Sequence, residues 1–513
     1  MRILDLGQEP LTPALLVEVS AGPVAVRLGP EVRARLEASH AVVHTLAEGP
    51  APIYGLNTGL GANLGHRLAP GEIEAFQVQF MAGRMVGTGP PLPEPVCRAA
   101  VLARLNGALR GAAGLSPAVI DTLCALLGQG LAPALPSIGS IGASDLALGA
   151  ALGGALIGLG EIWRQGVCVP AAQALAEAGI APVRLAPKDA LALANHSAPS
   201  VALAAFVCVE ARRLSWIGRG VAALSGEGYA MNAAIFDARI QALRPAEGQE
   251  EAAAWFRAGF AGGPLAQGTR ARSIQDALSF RTMAPVFGSA AAALDRLEAA
   301  LCVELGAGAD NPAVLGTGEA AEMLSTPNFD TGALALALDG LALAEARRAG
   351  ASAERILKLM TPQLSGLPRY LSPEGGAAAG YVPLQKTVAA LMATIRHEAA
   401  PASLAAMAVS ETVEDVAPQT LFAAQKLERQ LDAVAWLTAI EGLVGAQAAD
   451  LRAGAALGTA AGAVHAAIRA KAAPLGEDRP ATPDIAATRA ALEDGALIAH
   501  LAGLSRCNGT RPA

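Results

Sequence analysis

The stretch KLERQLDAVAWLTAIEGLVGAQAADLRAG, residues 426–454, most narrows what this chain can fold into. Its apolar side chains recur at steps of three and four, which is the repeat of one helix face, and they do so over many consecutive turns. RRLSWIGRGVAALSGEG (212–228) reads the same way, as do Pro95–Gly111, Pro117–Leu131, Ser289–Leu305 and Ala333–Arg348. Strand signals are few and short. Helices of such length bury their apolar stripes against one another, so a mainly α fold built on a helical bundle is expected.

Composition says how those helices pack. Hydrophobic residues make up 53% of the 513 and aromatics only 4%, so the apolar mass is Ala, Leu, Val and Gly, which lets helices approach closely. The 38 basic and 45 acidic residues give a net charge of -7 with no long run of either sign. That excludes a nucleic-acid groove and a membrane-surface patch, and favours a small-molecule ligand. Cys97, Cys124, Cys168, Cys208, Cys302 and Cys507 are scattered without a CxxC spacing, so neither a metal site nor a disulfide framework is expected, and a reducing cytoplasm fits. His40 and His44 share a helix face but lack a third ligand. The start, MRILDLGQEPLTPALL, lacks the pattern of a secretory signal, and Leu146–Gly160 is too short to span a bilayer and reads as a buried helix. Gly and Pro place loops at IYGLNTGLGANLG, GTGPPLPEP, PSIGSIGAS, RPAEGQ and SPEGGAAAG. After Lys471 a linker precedes one last amphipathic helix, and no internal repeat is visible.

PSIGSIGASDLALGA sets bare backbone directly before an apolar run. One reading is structural: Ser144 or Asp145 caps the helix and the glycines shape the turn. The other is chemical. If the peptide nitrogen two residues after an Ala attacks the Ala carbonyl, and the intervening Ser loses water, a strongly electrophilic ring results.

Gly139-Ser140-Ile141-Gly142-Ala143-Ser144-Asp145-Leu146 resembles the Gly-Ser-Val-Gly-Ala-Ser-Gly-Asp-Leu motif of the histidine, phenylalanine and tyrosine ammonia-lyases, with the glycine after Ala-Ser absent. YGLNTGLGANL, DALALANHSA, FDARIQALRPAEGQ, QDALSFR, ADNPAV, NFDTGALALALD and PASLAAMAVSETVEDV resemble further family segments in the same order. The pattern is most similar to the histidine-specific members. The resemblance implies a large elongated helical bundle, residues 201–513, and a smaller mixed N-terminal portion, residues 1–200, carrying the prosthetic-group loop. It implies a methylidene-imidazolone formed from Ala143-Ser144-Asp145, with Asp145 supplying the attacking amide, and no metal. It further implies a cytoplasmic homotetramer with shared active sites that eliminates ammonia from an aromatic L-amino acid, histidine to urocanate first of all.

Carried over residue by residue, the family's base or proton carrier falls on Tyr54, and residues around the ring and substrate on Asn195 and Gln275. The carboxylate clamp falls on Arg281, whose planar fork suits it, a ring beside the electrophile on Phe329, and the acid of histidine-specific members on Glu414. Arg84 stands where those members place a His against the substrate ring, and could pair with Glu414 or attract an anionic substrate group. Leu278 replaces a Tyr, His196 and Ser197 replace Gly-Thr, and Val413 replaces a Gln. These departures leave open a lyase or aminomutase for another amino acid, or a noncatalytic homo-oligomer that keeps the fold.

Overall fold

The computed structural model describes residues 2–53, 55–58, 67–68, 72–268, 271–452 and 456–505. The helices used below run in chain order as α1 (Ile73–Arg84), α2 (Glu94–Ala108), α3 (Pro117–Gln129), α4 (Leu146–Leu156), α5 (Asp189–Ala194), α6 (Ala198–Tyr229), α7 (Leu278–Arg281), α8 (Met283–Gly306), α9 (Gly332–Leu359) and α10 (Thr420–Leu451). The fold is mainly α, as the periodicity requires. The strands are short: β1 (Arg2–Leu6) pairs in parallel with β2 (Val24–Leu28), and β3 (Thr88–Pro91) antiparallel with β4 (Pro136–Ile138).

The chain divides into two compact units along discontinuous stretches. The first takes Met1–Val209, Leu297–Leu338 and Pro401–Gln425. Within it α2 is buried almost all round, from Val96 to Ala108, so its sequence shows little amphipathic contrast. Ser116 caps α3, Pro117 opens it, and Gly130 closes it in the left-handed conformation. α4 lies so close to α5 that a Cβ on Gly149 would stand 2.4 Å from the Ala194 carbonyl oxygen. This contact sets where the chain leaves α5, at Asn195.

The second unit takes Glu210–Arg296, Asp339–Ala400 and Lys426–Ala513. Its core gathers an aromatic cluster in which Phe256 touches the rings of Phe236, Trp255, Phe260 and Phe287. It also buries an ion pair, Arg355 to Glu441 at 2.6 Å, both at most 2% exposed. Ser225 and Ser352 donate to the same carboxylate, so its lone pairs are satisfied. The tail after Lys471 holds two short helices, Thr482–Leu492 and Gly495–Gly503, where one was expected. Asp494 breaks the run because its carboxylate accepts from the amides of Ala496 and Leu497 and caps a new start. Among the described residues one apolar stretch, Asp189–Tyr229, has the length and composition to cross a membrane, and its most apolar part is largely buried within the protein.

Candidate active site

The loop before α4 answers the question its bare backbone raised. Gly142 has φ +84, and a Cβ there would come within 2.8 Å of the Thr420 nitrogen and 2.9 Å of the Gln419 nitrogen. The glycine thus allows the start of α10 to lie against the loop, where the Gln419 amide donates to Ile141 O at 2.8 Å. Ser144 also takes a left-handed φ of +57, uncommon for a residue with a side chain. Its amide donates to Phe329 O at 3.3 Å, and Ser197 Oγ donates to the same carbonyl at 3.3 Å. Thr331 Oγ1 reaches Gly142 O at 3.3 Å and the Thr420 hydroxyl at 2.6 Å. Residues 141–145, 195–200, 329–331 and 419–420 therefore meet around Ala143 and Ser144.

Asp145 occupies the N-cap position of α4, but its side chain makes no cap hydrogen bond. The carboxylate is fully buried and accepts from Ser140 Oγ at 2.5 Å, Ser200 Oγ at 2.6 Å and the Ser200 amide at 2.7 Å. Burial pushes its pKa above the usual carboxylate range, and the serine donors offset part of that. The main chain is equally committed: the Asp145 amide donates to His196 O at 2.8 Å, and its carbonyl accepts from Gly149 at 2.7 Å.

Methylidene-imidazolone formation needs the nitrogen of the third residue free to reach the carbonyl of the first, across a backbone with room to fold. Ala143 and Ser144 supply the first two residues. Asp145 does not fit the third: its nitrogen is bound to His196, and its Cβ carries a carboxylate locked between Ser140 and Ser200. For Asp145 to supply the attacking amide, as the sequence leads one to expect, that amide would have to leave the His196 carbonyl. The two serines went unnoticed in the sequence. An acidic residue directly ahead of a wholly apolar helix is the signal that would have called for buried donors.

Next to this loop Asn195, half-buried, donates from Nδ2 to Asn311 O at 2.9 Å. His196 is buried as a neutral ring, its Nδ1 accepting from the Ala198 amide at 3.2 Å and its Nε2 donating to Leu193 O at 2.8 Å. Burial, and then the Arg104 charge, hold its pKa well below 6.5. Phe329 is half-buried. Arg84, in the last turn of α1, lays its guanidinium 3.8 Å from the centre of the Phe80 ring. Glu414 and Val413 lie on the exposed segment 411–416, where Ser410 Oγ donates to Glu414 at 3.0 Å. Tyr54 lies outside the described residues.

In the second unit Arg281 Nη1 donates to Gln275 Oε1 at 2.9 Å, joining two of the candidates directly. Leu278, 60% exposed, opens the same short helix, α7. That helix is anchored from behind: Phe280 stacks on Tyr229 with ring centres 4.0 Å apart, and Arg355 donates to Ser279 O at 3.3 Å. Elsewhere His40 turns to the Gly114 carbonyl and His44 to Glu48, and the described residues contain no cluster of three potential metal ligands.

The chain matches the aromatic amino acid lyase family over residues 11–470. It is 35% identical to the histidine ammonia-lyase of Koribacter versatilis, across 97% of this chain and 99% of that one. Ergothionase from Treponema denticola, an ergothioneine-degrading enzyme, superimposes with a TM-score of 0.92 at 27% identity, over 96% of this chain and 99% of that one. Tyrosine aminomutase from Streptomyces globisporus superimposes with a TM-score of 0.90 at 30% identity, over 98% of this chain and 99% of that one. Helical text in family order, the tight loop before α4 and these likenesses agree: the chain belongs to the aromatic amino acid lyase family and is a carbon–nitrogen lyase.

Proposed function

We propose that this chain eliminates the amine from an imidazole-bearing amino acid to leave a urocanate-type unsaturated acid, and that the amine is a trimethylammonium group of the ergothioneine kind. Asp145 carries this reading. A primary amine is a poor leaving group, so histidine needs a strong electrophile to take up its nitrogen. A trimethylammonium group leaves as neutral trimethylamine without one. A loop that does not fit ring closure suits the second substrate, and the likeness to ergothionase supports it. The identity to histidine ammonia-lyase supports the imidazole ring.

In this reading Arg281, steadied by Gln275, pairs with the substrate carboxylate, and Tyr54 takes the β-proton. Glu414 accepts from the imidazole N–H, and Arg84 meets a sulfur-bearing or otherwise anionic edge of the ring. Asn195 and Phe329 border the reacting carbons, and Leu278 the ring end. The Cβ–H pair becomes the double bond as the C–N pair departs with nitrogen. The sites are shared between subunits of a homotetramer.

The second reading is L-histidine to urocanate and ammonia through a methylidene-imidazolone from Ala143-Ser144-Asp145, favoured by the 35% identity. Incubation with ergothioneine, the trimethyl betaine of histidine, and L-histidine separates the two. Trimethylamine and an ultraviolet-absorbing acid from the betaines are expected. Ammonia and urocanate from L-histidine would replace this reading with the second, a β-amino isomer would mark an aminomutase, and no product from any of them would overturn the imidazole substrate class.

A further inference from the structure

The motif Ala309-Asp310-Asn311-Pro312 has no part in the chemistry above, yet it is tied to several segments of the site. Asp310, 1% exposed, faces Arg104 of α2, with Nη2 to Oδ1 at 2.8 Å and Nη1 to Oδ2 at 3.4 Å. Behind the pair, α2 meets the end of α8 closely: a Cβ on Gly107 would stand 3.2 Å from Ala307 O, and Asn106 Nδ2 donates to Leu305 O. The backbone that Asp310 secures then holds two other segments. Asp310 O accepts from Thr326 Oγ1 at 3.0 Å, and Asn311 Oδ1 accepts from the Thr326 amide at 3.0 Å. Thr326 Oγ1 in turn accepts from the Asn328 amide at 3.4 Å, next to Phe329. On its other side, Asn311 O accepts from Asn195 Nδ2 at 2.9 Å.

We propose that Arg104 and Asp310 are positioning residues. Their buried pair fixes the Asn311 turn, and the turn aims the Asn195 carboxamide and seats the segment leading to Phe329, although neither charge touches substrate. A paired fork sets the angle between its partners as well as their distance. A buried ion pair is better suited to fixing geometry than to adding stability, because desolvation offsets most of its attraction. The turn couples one carboxamide and one loop to that fixed angle, so a small rotation at residue 310 moves both together.

This proposal rests on the role given to Asn195, and its test separates the two. Asp310→Asn is expected to lower kcat about 100-fold, as a misplacement near 1 Å does, with KM little changed. Thr326→Val, which strands no charge and is expected to fold, should lower kcat about 10-fold. Combined with Asn195→Ala, either change should add nothing to the loss from Asn195→Ala alone, because residues acting through one another are not additive. Losses that multiply would overturn the proposal. Amide hydrogen exchange gives a readout free of turnover: in both single variants, segments 194–197 and 324–331 should exchange faster together. Faster exchange confined to 309–312 would overturn the positioning role even if the wild-type enzyme turned over none of the imidazole substrates, an outcome that would count against the substrate assignment alone.

Discussion

At the scale of single residues, the site is governed by polar groups forced into places where water cannot help them. His196 has a backbone amide on one ring nitrogen and a backbone carbonyl on the other, so a second proton has no acceptor and the ring stays neutral. The unfolded chain binds that proton at an ordinary pKa of 6.5, while the folded chain binds it only well below. Stability from this residue is therefore complete above pH 6.5 and falls as the pH drops beneath it, by up to about 1.4 kcal/mol for each pH unit. His196→Gln should flatten that slope in urea titrations between pH 7.5 and 5.5; an unchanged slope would show that His196 is not its source. Gln275 and Arg281 were singled out by residue type and spacing, and the structure joins them by a hydrogen bond. The cradle of Asp145 was not, since Ser140 and Ser200 are ordinary residues until the fold brings them to one carboxylate.

At the scale of elements, helix existence was plain in the text and helix ends were not. The periodic stretch from Ala333 to Arg348 predicted a helix that in fact runs Gly332–Leu359, because the later turns carry buried charge that breaks the apolar pattern. Arg355 is one of those charges. It pairs with Glu441 of α10 and donates to Ser279 O, so it supports α7, which carries Leu278 and Arg281. Glu441→Gln would leave the Arg355 guanidinium buried without its counter-charge. A loss of about 3–5 kcal/mol in denaturant unfolding is expected. A loss below about 1 kcal/mol would mean that water reaches the guanidinium. Arg355→Lys should lose the fork and raise the KM for the substrate carboxylate, since α7 would be less firmly held.

At the scale of the whole molecule, fold class and family were open to reading because helical periodicity and motif order extend along most of the chain. The chemistry was harder, because it turns on what one missing glycine does to one loop. The proposed sharing of sites in a homotetramer predicts complementation: Tyr54→Phe and Arg281→Ala chains, each inactive alone, should regain a fraction of activity when coexpressed. Recovery would come from hybrid sites holding both native residues, and its absence in a well-folded mixed oligomer would count against sharing. The central claim, elimination without a cyclised loop, is tested most directly by mass spectrometry of the peptide spanning Ser137–Leu146 from freshly purified enzyme active on a trimethyl betaine. The encoded mass is expected. Loss of two water molecules at Ala143-Ser144-Asp145 would contradict it.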